Sequence, residues 1–238
     1  MYKRVLLKLS GEALKENSDM ILDGNCLDSM AHMVKSIHDA GIEVCIVIGA
    51  GNIWRGKIAK DAGMEQFEAD FMGMMGTVIN AVALSAKLKL LGVPSLVTTA
   101  IGPVPEVNVP YSVETADKAM KEGKVVFLSG GTGKPFFTTD TAAALRAVEL
   151  DCKAIFMGKN GVDGIYTADP DSDPNAEFIK TITFDEIIKR KLQVMDISAV
   201  ELIKKTNIDV RVFSMSEPEN FLKVAQGKDI GTTVKRGE

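Results

Sequence analysis

The sequence is poor in the residues that most often carry metal-binding or nucleophilic chemistry. It has three cysteines, Cys26, Cys45 and Cys152, which are odd in number, lie far apart and form no CxxC pair. A disulfide framework or a zinc site is therefore not expected, and reduced cytosolic thiols are the better interpretation. Only two histidines occur, His32 and His38, which leaves little material for histidine catalysis.

The chain also lacks a basic excess and a long apolar segment. Its formal net charge is −4, whereas proteins that bind nucleic acid usually carry a basic surplus, so we expect no nucleic-acid partner. No segment after Met1 is typical of a signal peptide, and no run approaches the roughly 20 apolar residues of a membrane span. These absences predict a cytoplasmic protein with no membrane partner, in which local Lys and Arg residues would meet an anionic substrate.

What the chain does contain is a regular alternation of apolar and amphipathic segments. The apolar segments predict strands at 4–9, 43–48, 95–99, 124–128, 154–157 and 209–213, and 230–234 is compatible with a last one. The amphipathic segments predict helices at 27–40, 66–91, 113–122, 141–150 (capped by Thr139 or Asp140), 184–191, 196–206 and 218–226. A loop is expected at 101–111 and a small hairpin within 158–170. This alternation predicts an α/β fold with a mainly parallel sheet.

Three glycines and an arginine follow the strand at 43–48, within the segment 49–56. Glycine allows the backbone to approach a ligand closely, and N–H groups at the start of a helix bind phosphate oxygens. Arg55 can add a bidentate, charge-assisted contact. Glycine-rich segments also follow strands at 130–140 and 158–169. Because ligands of open α/β sheets bind outside the carboxyl ends of the strands, we expect these loops to line one crevice.

Lys8 lies near the end of an otherwise apolar stretch. Burial of an ammonium group is costly unless the group has a partner. Two interpretations stay open: Lys8 occupies an edge strand, where its stem can carry the charge to water, or it points at phosphates above the strand ends.

Common nucleotide-binding motifs are not matched. The Gly-Lys pair at 133–134 resembles part of a Walker A loop, but the position of the earlier glycine is Leu128, and Pro135 follows the lysine. The Gly-Ala-Gly segment at 49–51 begins a dinucleotide fingerprint whose third glycine position is Trp54. Glycine loops with cations, loose carboxylates and no nucleophile–base pair suit phosphoryl transfer, in which positioning and charge neutralisation do most of the catalysis.

Five segments, in this order, resemble the bacterial uridylate kinases of the amino acid kinase family. They are 8–14 (KLSGEAL), 49–56 (GAGNIWRG), 132–140 (TGKPFFTTD), 162–170 (VDGIYTADP) and 194–196 (VMD). The resemblance is colinear over about residues 2–234. The PFFTTD segment is the most specific part, because it separates uridylate kinases from relatives that phosphorylate carboxylates or carbamate.

The resemblance implies a three-layer α/β/α sandwich around a mainly parallel central sheet, as a single domain over residues 1–238. Its N-terminal part would bind mainly UMP, and the part from about residue 150 mainly ATP. The implied reaction is reversible transfer of the γ-phosphoryl group of ATP to UMP with Mg²⁺, giving ADP and UDP, in pyrimidine nucleotide biosynthesis. Members of the group are usually homohexamers, often inhibited by UTP and in many cases activated by GTP.

The resemblance also assigns roles to residues. Lys8 would neutralise the transferring phosphoryl group, and Asp70, an acceptor-only group, would bind the ribose hydroxyls of UMP. Asp140 and Asp196 would orient Lys8 or help to hold Mg²⁺, although no metal ligand is assigned. The implied catalytic residues are Lys8, Arg55, Asp140 and Asp196. The implied UMP site comprises Ala50, Asp70, Thr132, Gly133, Lys134, Pro135, Phe136, Phe137, Thr138 and Thr139. The implied ATP site comprises Lys8, Leu9, Ser10, Gly11, Gly51, Arg55, Asn160, Tyr166 and Asp169.

One departure from the family pattern is visible. Ala50 stands where a glycine of a Gly-Gly-Gly-Asn segment is usual, and its methyl group predicts a small local adjustment. Two alternatives stay open beside the UMP kinase hypothesis: a relative that phosphorylates a carboxylate or carbamate, and a regulator that binds UMP and ATP without turnover.

Overall fold

The computed structural model describes residues 1–15, 20–159 and 161–237. The strands in these ranges are β1 (Arg4–Leu9), β2 (Glu43–Ile48), β3 (Ser95–Thr99), β4 (Val109–Pro110), β5 (Val125–Ser129), β6 (Ala154–Lys159), β7 (Ile165–Tyr166), β8 (Phe178–Ile179), β9 (Thr181–Thr183), β10 (Asp209–Ser214) and β11 (Thr232–Lys235). The helices are α1 (Gly24–Asp39), α2 (Gly56–Asp61), α3 (Gln66–Leu90), α4 (Val113–Lys121), α5 (Thr139–Glu149), α6 (Phe184–Arg190), α7 (Ile197–Ile203) and α8 (Glu219–Ala225), with a 3₁₀ helix at Gly11–Leu14.

The strands of the main sheet have the order β4-β3-β5-β2-β1-β6-β10-β11-β9, and β7 pairs separately with β8. Apart from the antiparallel contact of β10 with β11, the pairs within this sheet are parallel. Strand β1 is central, because Lys8 stands opposite Val47 of β2 on one side and Met157 of β6 on the other. The edge-strand interpretation of Lys8 is therefore excluded.

Side chains alternate between the two faces of β1, as the pleat of a strand requires. Val5, Leu7 and Leu9 join one buried cluster together with residues of α1, α3 and α8. Leu6 joins a second cluster, on the opposite face, with residues of α4, α5 and α7. The predicted three-layer α/β/α sandwich with a mainly parallel sheet is confirmed.

Helix α3 is long and apolar enough to cross a membrane by length and composition, and it is the one such helix in the described ranges. It contacts strands β2, β3 and β5 of the main sheet. Its buried face includes Thr77, Asn80 and Ser85, each with a hydrogen-bond partner inside the protein. Buried polar groups satisfied in this way are typical of a core helix.

Several boundaries differ from those expected. Helix α5 begins two residues early, because Thr138 has an extended backbone and its Oγ1 accepts the N–H of Thr141. The expected caps Thr139 and Asp140 therefore lie inside its first turn. Helix α2 and strand β4 were not expected. In the described part of the segment 158–170, the one strand beyond the end of β6 is β7, whose antiparallel partner β8 lies outside the segment.

Candidate active site

Lys8 points from the middle of the sheet toward the start of α5. It lies two residues after Leu6 and so leaves β1 on the same face, where α5 packs. Its Nζ lies 2.7 Å from Oδ1 of Asp140, and both side chains are about one-fifth exposed. Because α5 begins at Thr139, Asp140 lies in its first turn. The ion pair supplies the partner that a partly buried ammonium group requires.

Lys159 is a second cation at this point, and the sequence reasoning missed it. It ends β6, the strand beside β1, and its Nζ donates to the carbonyl of Val194 at 3.4 Å. Burial lowers the pKa of Lys159, and the nearby charge of Lys8 lowers it further, while Asp140 acts in the opposite direction. The signal that could have identified Lys159 is the same as for Lys8: a lysine at the end of an apolar strand.

Asp196 connects the start of α7 to Thr138 and Thr141 at the start of α5. As the N-cap of α7 it accepts the N–H of Ala199 at 2.7 Å. Its Oδ2 also accepts the hydroxyls of Thr141, at 3.0 Å, and of Thr138. These contacts occupy both oxygens, so Asp196 anchors the start of α5 against α7.

The segments after β1 and β2 approach each other through their backbones. A Cβ on Gly11 would lie 2.3 Å from the carbonyl oxygen of Gly49, so only glycine fits there. Asn80 of α3, also missed by the sequence reasoning, donates to that carbonyl at 2.7 Å and exchanges hydrogen bonds with Asn52. This buried amide pair fixes the glycine loop against α3.

The methyl group of Ala50 packs against a second glycine, Gly76. A Cβ on Gly76 of α3 would lie 2.8 Å from the Cβ of Ala50, and Ala50 is buried. The methyl group that departs from the family pattern is accommodated because position 76 has no side chain.

The Arg55 side chain folds back over the glycine loop and contacts Glu12 and Gly51. Its Nη2 lies 2.6 Å from Oε1 of Glu12, and its Nε donates to the carbonyl of Gly51 at 3.1 Å. Both side chains of the ion pair are about half exposed, and such pairs are weak. A phosphate can therefore replace Glu12 as the anion that Arg55 contacts.

Asp70 contacts the loop that leads into α5. Its Oδ2 accepts the backbone N–H of Phe136 at 2.6 Å, and its Oδ1 accepts the side-chain amide of Gln66 at 2.6 Å. Phe136 has a positive φ of 70°, which is strained for an aromatic residue. The Asp70 carboxylate thus holds an unfavourable backbone conformation in place.

A cavity of about 300 Å³ lies between the glycine loop, α3 and the 131–139 segment. Of the residues assigned to UMP, those that line it are Ala50, Asp70, Thr132, Lys134, Phe137, Thr138 and Thr139. Gly51, assigned to ATP, also lines it, whereas Gly133, Pro135 and Phe136 do not. We call this space the acceptor cavity.

Two further cavities lie on the other side of Asp140. One of about 550 Å³ is lined by Tyr166, Asp169 and Lys159, and one of about 700 Å³ by Asp140, Lys159 and Asp196. They share Lys159 and the 191–194 segment, and we call them together the donor cavity. Thr139 lines the acceptor cavity and the next residue, Asp140, lines the donor cavity, so the two adjoin at the first turn of α5. Lys8 is paired with Asp140 there, although neither Lys8 nor Arg55 lines these cavities.

The remaining residues assigned to ATP lie in different surroundings. Ser10 caps the 3₁₀ helix by accepting the N–H of Glu12. The Leu9 side chain is buried in the core, which leaves only its backbone for a ligand. The hydroxyl of Tyr166 donates to Asp163, and Asp169 accepts the N–H of Asp171. Asn160 lies outside the described residues.

No group of three or more His, Cys, Asp or Glu side chains suited to a metal ion occurs in the described ranges. Asp140 and Asp196 are the carboxylates nearest the junction, and both are engaged by protein partners. Two carboxylates that already have protein partners do not complete the coordination of a hard cation, whose other oxygen ligands would have to come from water or a bound molecule.

The fold and the loops together indicate the class of protein. It is an α/β/α sandwich in which glycine loops, two lysines and a carboxylate lie around two adjoining cavities at the carboxyl ends of the strands. The sequence profile of the Amino acid kinase family matches residues 3–214. The chain belongs to this family.

Comparison with individual proteins identifies similar members of this family. A uridylate kinase of Pediococcus pentosaceus is 44% identical over 237 residues, which cover 100% of this chain and 98% of the relative. The crystal structure of UMP kinase from Bacillus anthracis has a TM-score of 0.96 at 36% identity, covering 100% of this chain and 97% of its own. That of UMP kinase from Ureaplasma parvum has a TM-score of 0.93 at 38% identity, covering 99% and 100%.

Proposed function

We propose that this chain is a uridylate kinase, which transfers the γ-phosphoryl group of ATP to UMP and releases ADP and UDP. The observation that carries the proposal is that the acceptor and donor cavities adjoin at Thr139 and Asp140, where Lys8 pairs with Asp140 and Lys159 lines the donor cavity. The acceptor cavity is built from residues before about 140 and the donor cavity from residues at and after that point. This division supports a single domain with an N-terminal UMP part and a C-terminal ATP part.

The proposed mechanism is in-line transfer by positioning and charge neutralisation. Lys8 and Lys159 lie where a γ-phosphoryl group would pass between the cavities, and Arg55 exchanges Glu12 for a phosphate oxygen. Asp140 holds the Lys8 ammonium in position. Mg²⁺, bound mainly by the ATP phosphates, would neutralise their charge when present.

The test is release of ADP, measured by a coupled assay with UMP, CMP, dTMP, aspartate and acetylglutamate as acceptors. We expect turnover with UMP and far less with the other four. Turnover only with an acid would identify a carboxylate kinase, and binding of UMP and ATP without ADP release would identify a regulator. Either result would overturn the proposal. Omitting Mg²⁺ and adding EDTA should abolish turnover.

We also propose that the protein self-associates, with the homohexamer of the family as the expected state. Helix α3 supports this, because Met75 and Ile79, one turn apart, are exposed on it, as are Phe67 and Leu90 nearer its two ends, and exposed apolar surface marks interfaces. Multi-angle light scattering should show a smaller mass for Ile79→Glu. Val148→Glu, at an exposed apolar residue of α5, is the control and should keep the mass of the unsubstituted chain.

We propose that UTP inhibits the enzyme and that GTP activates it, as the family resemblance supports. We also propose a cytoplasmic location, supported by the low cysteine content. Adding each nucleotide to the UMP assay tests the regulation: a rate unchanged by GTP and by UTP would contradict it. Fractionation of cells tests the location.

A further inference from the structure

Arg146 on α5 has no part in the chemistry described above, yet its guanidinium group is buried directly behind the acceptor cavity. The residue is 5% exposed. Its Nη2 donates to the carbonyl oxygen of Gly131 at 3.3 Å, and its Nη1 lies 2.6 Å from Oε2 of Glu149. Its Cζ lies 3.9 Å from the centroid of the Tyr111 ring.

The contact with Gly131 matters because this glycine lines the acceptor cavity. Gly130, Gly131 and Gly133 all have positive φ, and a glycine-rich segment loses more conformational entropy on ordering than other sequences. Such a loop needs fixed partners. Thr77 of α3 accepts the N–H of Gly130 at 2.8 Å, and Arg146 binds the next residue from the opposite side.

Tyr111 and Glu149 fix the plane of the guanidinium group. The Tyr111 hydroxyl donates to the same Glu149 oxygen that pairs with Arg146, at 2.6 Å. The backbone N–H of Tyr111 donates to the carbonyl of Thr99, at the end of β3. A lysine could keep the charge at this position but could not stack on the ring and reach both oxygens, because it lacks the planar fork of arginine.

We infer that Arg146 is a positioning residue for the acceptor nucleotide, which acts by holding the Gly131 carbonyl and with it the 130–134 wall of the acceptor cavity. The inference rests on the proposed function, since it takes UMP as the molecule in that cavity. It predicts that loss of the planar contact weakens UMP binding and leaves ATP binding unchanged.

The test compares Arg146→Lys with Arg4→Lys. Arg4 is a matched control: it is also buried, pairs with Glu43 and Asp117 and donates to the carbonyl of Leu150, but it begins β1, at the end of the sheet away from the site. Both variants should melt at lower temperature. In calorimetric titration, only Arg146→Lys should raise the Kd of UMP, by roughly tenfold, the effect of one hydrogen bond of a charged group. The Kd of ATP should stay unchanged in both.

Tyr111→Leu provides a second test should Arg146→Lys fail to fold. It removes the stacking ring and the hydroxyl but keeps Arg146, and should raise the Kd of UMP by a smaller factor. Unchanged UMP affinity in the folded variants, or an equal loss in Arg4→Lys, would overturn the inference alone. Failure of the unsubstituted chain to bind UMP would overturn the proposed function and the inference with it.

Discussion

Lys8 and Asp140 form an ion pair of 2.7 Å between the central strand and the first turn of α5. The pair joins two segments 132 residues apart in the chain (140 − 8). Its carboxylate lines the donor cavity, and the residue before it, Thr139, lines the acceptor cavity. A carboxylate that holds a lysine in this way keeps its ammonium group aimed at one point. Preorganised charge of this kind costs no reorganisation when the transition state forms.

Replacing Lys8 by alanine should therefore reduce kcat much more than it weakens UMP binding. A lost electrostatic group in an active site typically costs roughly 10²–10³-fold in kcat, and steady-state kinetics with titration of UMP separates the two effects. Lys35→Ala, which breaks a surface Lys–Asp pair on α1 of 2.8 Å, should leave both unchanged. Equal losses of turnover and affinity in Lys8→Ala would contradict the role.

Asp70→Asn tests the ribose contact, which must be separated from the support that Asp70 gives to Phe136. Loss of a hydrogen bond to a charged group costs about 1.5–3 kcal/mol, so KM for UMP should rise roughly 10- to 100-fold. Comparison with 2′-deoxyUMP separates the two effects, because only the ribose contact depends on the 2′-hydroxyl. The unsubstituted enzyme should prefer UMP strongly, and the variant should not; an undiminished preference would show that Asp70 acts only on the loop.

Much of this arrangement could be predicted from the sequence, because the signals are local. The apolar stretches that became β1, β2, β5 and β6 and the glycines after them indicate both the parallel sheet and the edge where ligands bind. Lys8 stood out because charge is rare in such a strand.

The rest depends on contacts between distant segments. Lys159 lies near Lys8 only because β6 pairs with β1, and the strand order is not written in either segment. Neither the Glu12–Arg55 pair nor the position of Ala50 over Gly76 could be predicted, since both depend on how loops close over α3. The sequence could not single out the cap of α5, because three consecutive residues, Thr138 to Asp140, can all serve as N-caps.

Gly11→Ala should destabilise the protein through the closest backbone approach in the site. The added Cβ would meet the carbonyl oxygen of Gly49 at 2.3 Å and Oδ1 of Asn52 at 2.5 Å. Overpacking costs roughly 1–3 kcal/mol, and each kcal/mol lowers Tm by about 2–4 °C in a protein of this size. Gly24→Ala is the control, because a Cβ there meets nothing within 4 Å, and its melting curve should not shift downward. Calorimetric melting curves that coincide for Gly11→Ala and the unsubstituted chain would refute the close approach.

Lys159→Met should raise stability while lowering turnover. Burial lowers the pKa of Lys159, with a further contribution from Lys8, so the charged form is less favourable in the folded chain than in the unfolded chain. This cost is fully present below the lowered folded pKa, where both states carry the proton, and it disappears as pH rises through the folded pKa toward the unfolded value. Methionine fills similar space without a charge, so the variant should melt at a higher temperature than the unsubstituted chain at neutral pH. The difference in Tm should shrink at alkaline pH, and kcat for UMP phosphorylation should fall at every pH. A variant that is both less stable and fully active would show that Lys159 serves the fold and not the phosphoryl group.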